Sequence, residues 1–297
     1  MINIKLTFLP MENHLPKRVP SRLTTDTAAL ESFLREDLGY GDISSNVIDP
    51  DLTGAGEIFT KEDCVLAGAE EADWIFRYLG LSTKTQAKDG QSLKNLEQVL
   101  TVTGNVRGIL AGERVALNII SRMSGIATLT HTLVSMTRNV NPHLRIACSR
   151  KTTPGFRFFE KKAVIIGGGD PHRFRLDDCI MLKDNHLKRM GSLEEGITKA
   201  KSFSFSKKVE VEVESIETAE RAAAAGADII MLDNMSPEEV RKGYLLIKND
   251  HPHITIEVSG GITPENIMEY AKYADVISLG FLTHSYRSID FSLELKD

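Results

Sequence analysis

Cysteine is scarce in this 297-residue chain. Cys64, Cys148 and Cys179 are the only three, and none forms a CxxC pair. So sparse and odd a set argues against a disulfide framework and fits a reduced cytosolic protein. Long apolar runs are missing too. No segment approaches the eighteen or so residues that a membrane helix needs, so no membrane partner is expected and the cytoplasm is the expected location. The first residues lack an apolar stretch long enough for a secretory signal. Residues 1–20 read as a tail, with Met11 as an alternative start. Positive charge is in deficit: 36 Lys and Arg stand against 41 Asp and Glu, a net −5. Bulk attraction to nucleic acid is therefore not expected. Finally, no GxGxxG follows a first strand, which weakens a dinucleotide-binding reading.

Against that acidic background, the segment Cys148–His186 gathers ten Arg, Lys and His residues in thirty-nine positions. Local cationic charge in an acidic chain points to a small anionic ligand. The basic set is Arg150, Lys151, Arg157, His172 and Arg173, joined by Arg114 on a long helical stretch expected from Gly112 to about Arg138. Arginine grips carboxylates and phosphates through paired hydrogen bonds, so the ligand set reads as a polycarboxylate and one or more phosphates. Lys161, Lys162, Lys188 and Arg189 read as surface charges. Gly167-Gly168-Gly169 reads either as a loop alone or as a loop whose backbone closely approaches a ligand. Cys148 and Cys179 read as small core residues.

The second half alternates apolar runs with amphipathic helical patterns. LRIAC, AVIIGG, CIMLK, KVEVEVE, ADIIMLD, ITIEVSG and DVISLG read as seven strands. Such alternation means parallel βαβ units, and seven strands suit a nearly closed α/β barrel better than a doubly wound open sheet. In such a barrel the active site lies at the carboxyl ends of the strands. Those ends carry Lys183-Asp184-Asn185-His186, Asp233-Asn234, Ser259-Gly260-Gly261 and Gly280 with His284. In KVEVEVE, period two puts Val209, Val211 and Val213 on the helix-packed face, with Glu210, Glu212 and Glu214 pointing into the barrel; an exposed edge strand is the alternative. Ser259-Gly260-Gly261, with a helix start expected at Thr263-Pro264, reads as a phosphate loop. SIDFSLELKD alternates as a strand returning to the first domain. An early helix is expected over residues 25–38, with Leu30, Phe33, Leu34 and Leu38 on one face.

GERVALNIISRMSGIAT, SRKTTPGFR, EKKAVIIGGG, HR, KDNH, VEVEVE, IIMLDNMSP, SGGI and ISLGFLTHS occur in this order. Together they resemble the quinolinate phosphoribosyltransferase family over roughly residues 25–295. The resemblance implies an N-terminal α/β sandwich domain over 21–125, rejoined by strand 286–297, and an incomplete, seven-stranded α/β barrel over 126–285. It also implies that quinolinate and phosphoribosyl pyrophosphate react with Mg²⁺ to give nicotinate mononucleotide, pyrophosphate and CO₂, a step of NAD synthesis. By motif, Arg150, Lys151, His172, Arg173 and Lys183 would line the quinolinate and pyrophosphate pocket. Glu212 and Asp233 would flank the ribose hydroxyls and Mg²⁺. Ser259, Gly260, Gly261, Gly280 and His284 would hold the 5′-phosphate. Lys151, Lys183, Glu212 and Asp233 would be the catalytic set, and Arg114 would enter a neighbouring subunit's site in a homodimer or a hexamer of dimers.

Two positions depart from the family pattern. Cys148-Ser149 replace an Asp-Thr pair, and Phe174-Arg175 follow the His-Arg pair, putting an extra cation at the pocket rim. Three other readings compete. One is a related pyrophosphorylase-like enzyme of molybdate transport operons with another acceptor. Another is a Schiff-base aldolase using Lys183. The third is a non-catalytic phosphosugar-binding module.

Overall fold

The computed structural model describes residues 24–296; the tail expected over 1–20 lies outside them. In the first half, α1 (Thr27–Leu38), β1 (Thr53–Thr60), β2 (Cys64–Val65), α2 (Ala69–Tyr78), β3 (Ser82–Thr85), β4 (Ser92–Leu93) and β5 (Gln98–Asn105) lead into α3 (Val106–Arg138). Then come β6 (Arg145–Cys148), α4 (Arg157–Ile166), β7 (Ile180–Leu182), α5 (Asp184–Leu187), α6 (Leu193–Phe203), β8 (Val209–Val213) and α7 (Ile216–Ala224). β9 (Ile229–Asp233), α8 (Pro237–Asp250), β10 (Thr255–Ser259), α9 (Ile267–Ala271), β11 (Val276–Leu279), α10 (Phe281–His284) and β12 (Phe291–Lys296) complete the chain.

Local chemistry sets these boundaries. The Asp26 side chain accepts the Ala29 N–H at 3.2 Å and starts α1, which buries Leu30 and Leu34. Ser192, Ser215 and Ser236 cap α6, α7 and α8 in the same way, the last with a reciprocal Glu239 bond and Pro237 in the first turn. Asn105 caps α3, so that helix begins six residues before the expected Gly112. Its 33 residues span about 50 Å and pack on α2 on one side and α4 on the other.

Four strands form an antiparallel sheet in the order β12-β1-β5-β3, with β12 pairing β1 from Ala55↔Lys296 to Thr60↔Phe291. Six strands form a parallel sheet in the order β6-β11-β10-β9-β8-β7. The expected count of seven fails at AVIIGG. Ala163–Ile166 close helix α4, and only Asp170 beyond them bridges Ala147 on β6. Asp170 therefore extends the sheet by one position past β6. Two residues later His172 touches Glu257 on β10 and Glu210 on β8, and Arg173 reaches Met181 on β7. In a flat sheet Asp170 and β7 would lie six strand spacings apart, about 29 Å. The contacts require the sheet to curl until its edges nearly meet. The result is an open barrel whose gap is spanned by residues 170–173 instead of a seventh strand.

Two other expectations are corrected. Lys161 and Lys162 are buried, not surface charges. Lys161 Nζ lies 3.5 Å from Cys148 Sγ, donates to the Pro171 carbonyl and sits 5.4 Å from the Phe174 ring. Lys162 Nζ donates to Glu71 at 2.7 Å and Glu70 at 2.9 Å, tying α4 to α2. At Gly167 and Gly169 the close approach is to protein: a Cβ at Gly167 would lie 2.5 Å from the Ala127 carbonyl, and one at Gly169 2.7 Å from Thr130 Cγ2. Close packing on α3 therefore accounts for both glycines.

Asp89 belongs to the Glu71 cluster. Burial, then the Glu71 charge, push its carboxyl up to about 7, while its Oδ1 accepts the Ala69 N–H at 2.9 Å. A carboxyl whose pKa rises on folding binds more protons folded than unfolded, so stability falls as pH rises from its ordinary value near 3.8 towards 7. Asp89→Asn keeps the acceptor and removes the charge. Denaturant midpoints of the variant should exceed those of the parent at pH 8 and converge with them near pH 4. A variant less stable at both pH values would contradict this.

Candidate active site

Two layers of inward-facing side chains fill the barrel. The upper one lies at the carboxyl ends of the strands. Lys183 follows β7, and its Nζ donates to the Glu212 carboxylate on β8. Asp233 ends β9. Burial and then the Glu212 charge push its carboxyl up, against the opposing Ser259 hydroxyl bond and Lys183 charge. Asn234, left-handed at φ 55, donates Nδ2 to Asp233 at 2.8 Å and its backbone N–H to the Ser259 carbonyl at 3.0 Å. This clamps the ends of β9 and β10 together. Gly260 has φ 82, and a Cβ there would fall 2.3 Å from Asn234 Oδ1, so this turn needs glycine.

Beside this layer, Gly280 brings Lys151 and His284 together: a Cβ on it would meet Lys151 Cδ at 2.9 Å and His284 Nε2 at 3.0 Å. The Thr283 hydroxyl donates to the Lys151 carbonyl at 2.9 Å. A recess of about 620 Å³ opens here, bordered by Lys151, Thr152, Thr153, His284 and Arg122. The helix expected to start at Thr263-Pro264 starts later. Those residues form a turn and α9 begins at Ile267, so one turn of chain separates the Ser259-Gly260-Gly261 loop from a helix of five residues.

The lower layer lies one inward step down the same strands. Glu210 precedes Glu212 by two residues on β8, and Met181 precedes Lys183 by two on β7, a rise of about 7 Å. His172 Nε2 lies 3.1 Å from Glu257 and 3.6 Å from Glu210. Burial works against charge on the ring and the two carboxylates favour it, while Nδ1 accepts the Arg173 N–H at 2.7 Å and so carries no hydrogen itself. Burial, helped by the Glu257 charge, raises Glu210. Arg173 donates to the Met181 thioether at 3.0 Å. A cavity of about 590 Å³, opening toward the amino ends of the strands, borders this layer from below.

The expected site residues thus separate. Lys183, Glu212, Asp233 and Ser259 share the upper layer, while Lys151, Gly280 and His284 share the adjoining recess. His172 and Arg173 form the floor. Arg150 follows β6, with its Nε buried and unpartnered. Gly261 is exposed beside Gly260. Arg114 is exposed on α3, two turns before Arg122, and does not join its own chain's cluster. Glu214 is exposed beyond the end of β8, not directed into the barrel. Arg175 is exposed and pairs with Asp177 at 3.2 Å.

Sequence reasoning missed Glu257 and Glu160. Glu257 is an isolated acid in an apolar strand, two residues before Ser259, and that spacing was the available signal. Glu160 is buried and accepts the Thr153 N–H at 3.0 Å, while Arg157 donates to Thr152 at 3.0 Å and to the Phe174 carbonyl at 3.2 Å. Together they fix the Thr-Thr-Pro-Gly loop against the loop carrying His172 and Arg173.

The chain matches the models described as Quinolinate phosphoribosyl transferase, N-terminal domain, over residues 42–124 and C-terminal domain over residues 126–294. A relative from Methanothermobacter thermautotrophicus, named Probable nicotinate-nucleotide pyrophosphorylase [carboxylating], is 46% identical over 90% of this chain and 98% of its own. The Homo sapiens nicotinate-nucleotide pyrophosphorylase [carboxylating] is 38% identical over 91% of this chain and 92% of its own. The crystal structure of NadC from Streptococcus pyogenes superposes with TM-score 0.86 at 41% identity, over 94% of this chain and all of that one. On these matches, the chain belongs to the quinolinate phosphoribosyl transferase family.

Proposed function

We propose that this chain transfers phosphoribosyl from phosphoribosyl pyrophosphate to quinolinate with loss of CO₂, giving nicotinate mononucleotide and pyrophosphate. The observation that carries this reading is the two-layer interior: the charged Lys183–Glu212–Asp233 set lies one strand step above the His172–Arg173 floor. In this reading Lys183 above and Arg173 below would meet the carboxylates of the ring, and the Gly280–His284–Lys151 recess would take the phosphorylated sugar. Among the described residues, the Arg173 guanidinium has a thioether as its hydrogen-bond partner, which leaves it available to a carboxylate. Lys183 is bound to a carboxylate, and an ion-paired ammonium is not the free amine that a Schiff base needs.

The pyridine nitrogen attacks the ribose anomeric carbon as the bond to pyrophosphate breaks. Positive charge builds on the sugar, where Glu212 and Asp233 stabilise it electrostatically. Lys151 and Lys183 stabilise the departing pyrophosphate. The 2-carboxylate then leaves as CO₂, its electron pair staying on the carbon beside the cationic ring nitrogen, and a proton taken up there completes the product. Glu212 and Asp233 would hold Mg²⁺, since burial and then the neighbouring Glu212 charge push Asp233 up, and a cation between the two carboxylates would relieve both. Two carboxylates are an incomplete shell, which suits a metal that usually retains waters and substrate phosphates. The metal would neutralise pyrophosphate charge. A second copy of the chain would supply Arg114. Three free thiols support a reducing, cytoplasmic setting.

Arg173→Ala tests the acceptor assignment. Losing two charge-assisted hydrogen bonds, about 3 kcal/mol, should raise quinolinate KM roughly 100-fold, with the KM for phosphoribosyl pyrophosphate and thermal stability little changed. Unchanged quinolinate KM and kcat would remove Arg173 from the site.

A further inference from the structure

We propose that Glu210 and Glu257 are positioning residues for the acceptor pocket: together they clamp the His172 ring and thereby hold the turn that presents Arg173. This rests on reading the barrel floor as the acceptor site.

The turn needs holding. His172 has φ 51, in the left-handed region that a non-glycine residue adopts at a cost. Four contacts fix it. The His172 N–H donates to Asp170 Oδ1 at 2.7 Å, and Nδ1 accepts the Arg173 N–H at 2.7 Å. Nε2 faces Glu257 at 3.1 Å and Glu210 at 3.6 Å. Because Nδ1 is an acceptor, the ring hydrogen belongs on Nε2, directed at the carboxylates. The two glutamates are 0% and 2% exposed, and the Oε1 of each is buried without a partner. Such groups are a costly way to fill a core; apolar side chains of similar size would pack there more cheaply. Their strands are already fixed by continuous pairing to β9, so the carboxylates are not needed to form the sheet. What they hold is His172, and the next backbone N–H in that turn is that of Arg173.

The test uses Glu257→Gln, Glu210→Gln and the double variant, with steady-state kinetics and imidazole ¹⁵N spectra. The wild-type ring should show one fixed tautomer with hydrogen on Nε2. Each single variant should raise quinolinate KM at least tenfold and the double about 100-fold, with kcat falling less and the KM for phosphoribosyl pyrophosphate within twofold. In the double variant the fixed tautomer should give way to averaging. A role in folding alone would lower stability without separating the two substrates' KM values. Unchanged quinolinate KM in a folded Glu257→Gln enzyme overturns the clamp. So does tautomer averaging in the wild type, which needs no variant at all. If the wild type releases no pyrophosphate with quinolinate, the acceptor reading fails instead, and the proposed presentation of Arg173 to that acceptor fails with it.

Discussion

Lys183→Met should lower turnover at saturating substrates by about 100- to 1000-fold, some 3–4 kcal/mol of transition-state stabilisation, while leaving a folded protein. Lys183 sits at the carboxyl end of β7 with its side chain 41% exposed, and Glu212 opposite is 18% exposed. An ion pair this open to water contributes little to stability, about 1 kcal/mol or less. In the proposed reaction its value lies in chemistry, where a fixed cation would meet charge as it develops on the leaving group or ring carbon. Glu212→Gln should cost turnover too, since it removes the negative charge proposed to stabilise the sugar. The pair acts as a unit, so the double variant should lose less than the product of the single losses. Circular dichroism and a quenched-flow measurement of pyrophosphate would check this. A fall of less than threefold in Lys183→Met would remove the residue from the chemical step.

The largest stability effect is expected far from that site, at Lys162→Met. Its Nζ is held by Glu71 and Glu70, and Glu71 is fully buried with one oxygen unpartnered. Burial works against the Lys162 charge, but the Glu71 carboxylate outweighs it and holds the ammonium pKa above its ordinary range. Removing the cation leaves Glu71 buried beside Asp89 with nothing to balance it, a loss of about 3–5 kcal/mol. Lys162→Met/Glu71→Gln should recover much of that loss, because the cost lies in the orphaned charge. Chemical denaturation of the single and double variants decides between the two. Equal stability of the single variant and the parent would contradict the account. The cluster joins α2 to α4, so the single variant should also loosen the N-terminal sheet against the barrel, visible as faster amide exchange along α2.

Much of this architecture is legible in the sequence because period and chemistry agree. In β8 the valines at 209, 211 and 213 are buried against helices, while Glu210 and Glu212 point inward. The pattern misleads at Glu214 only because the strand stops at Val213. AVIIGG reads as a strand because four apolar residues in a row fit a buried strand or a helix end equally well. Its place after Glu160-Lys161-Lys162 in one continuous turn pattern makes it a helix. Lys161 and Lys162 read as surface residues because charge usually seeks water. Their partners are separated by 91 residues in one case and by a fold of the backbone in the other. The same holds for His172, whose carboxylate Glu257 lies 85 residues away. Motifs carry the identity of side chains, but not which of them a curled sheet brings within hydrogen-bond reach.

The most direct measurement is a product assay. Purified protein is mixed with phosphoribosyl pyrophosphate, Mg²⁺ and quinolinate carrying label in its 2-carboxylate, with nicotinate as a parallel acceptor. The account predicts nicotinate mononucleotide, pyrophosphate and labelled CO₂ in equal amounts from quinolinate, and little product from nicotinate. Product from nicotinate alone, or from neither, would contradict the claim that the floor of this barrel reads a pyridine dicarboxylate.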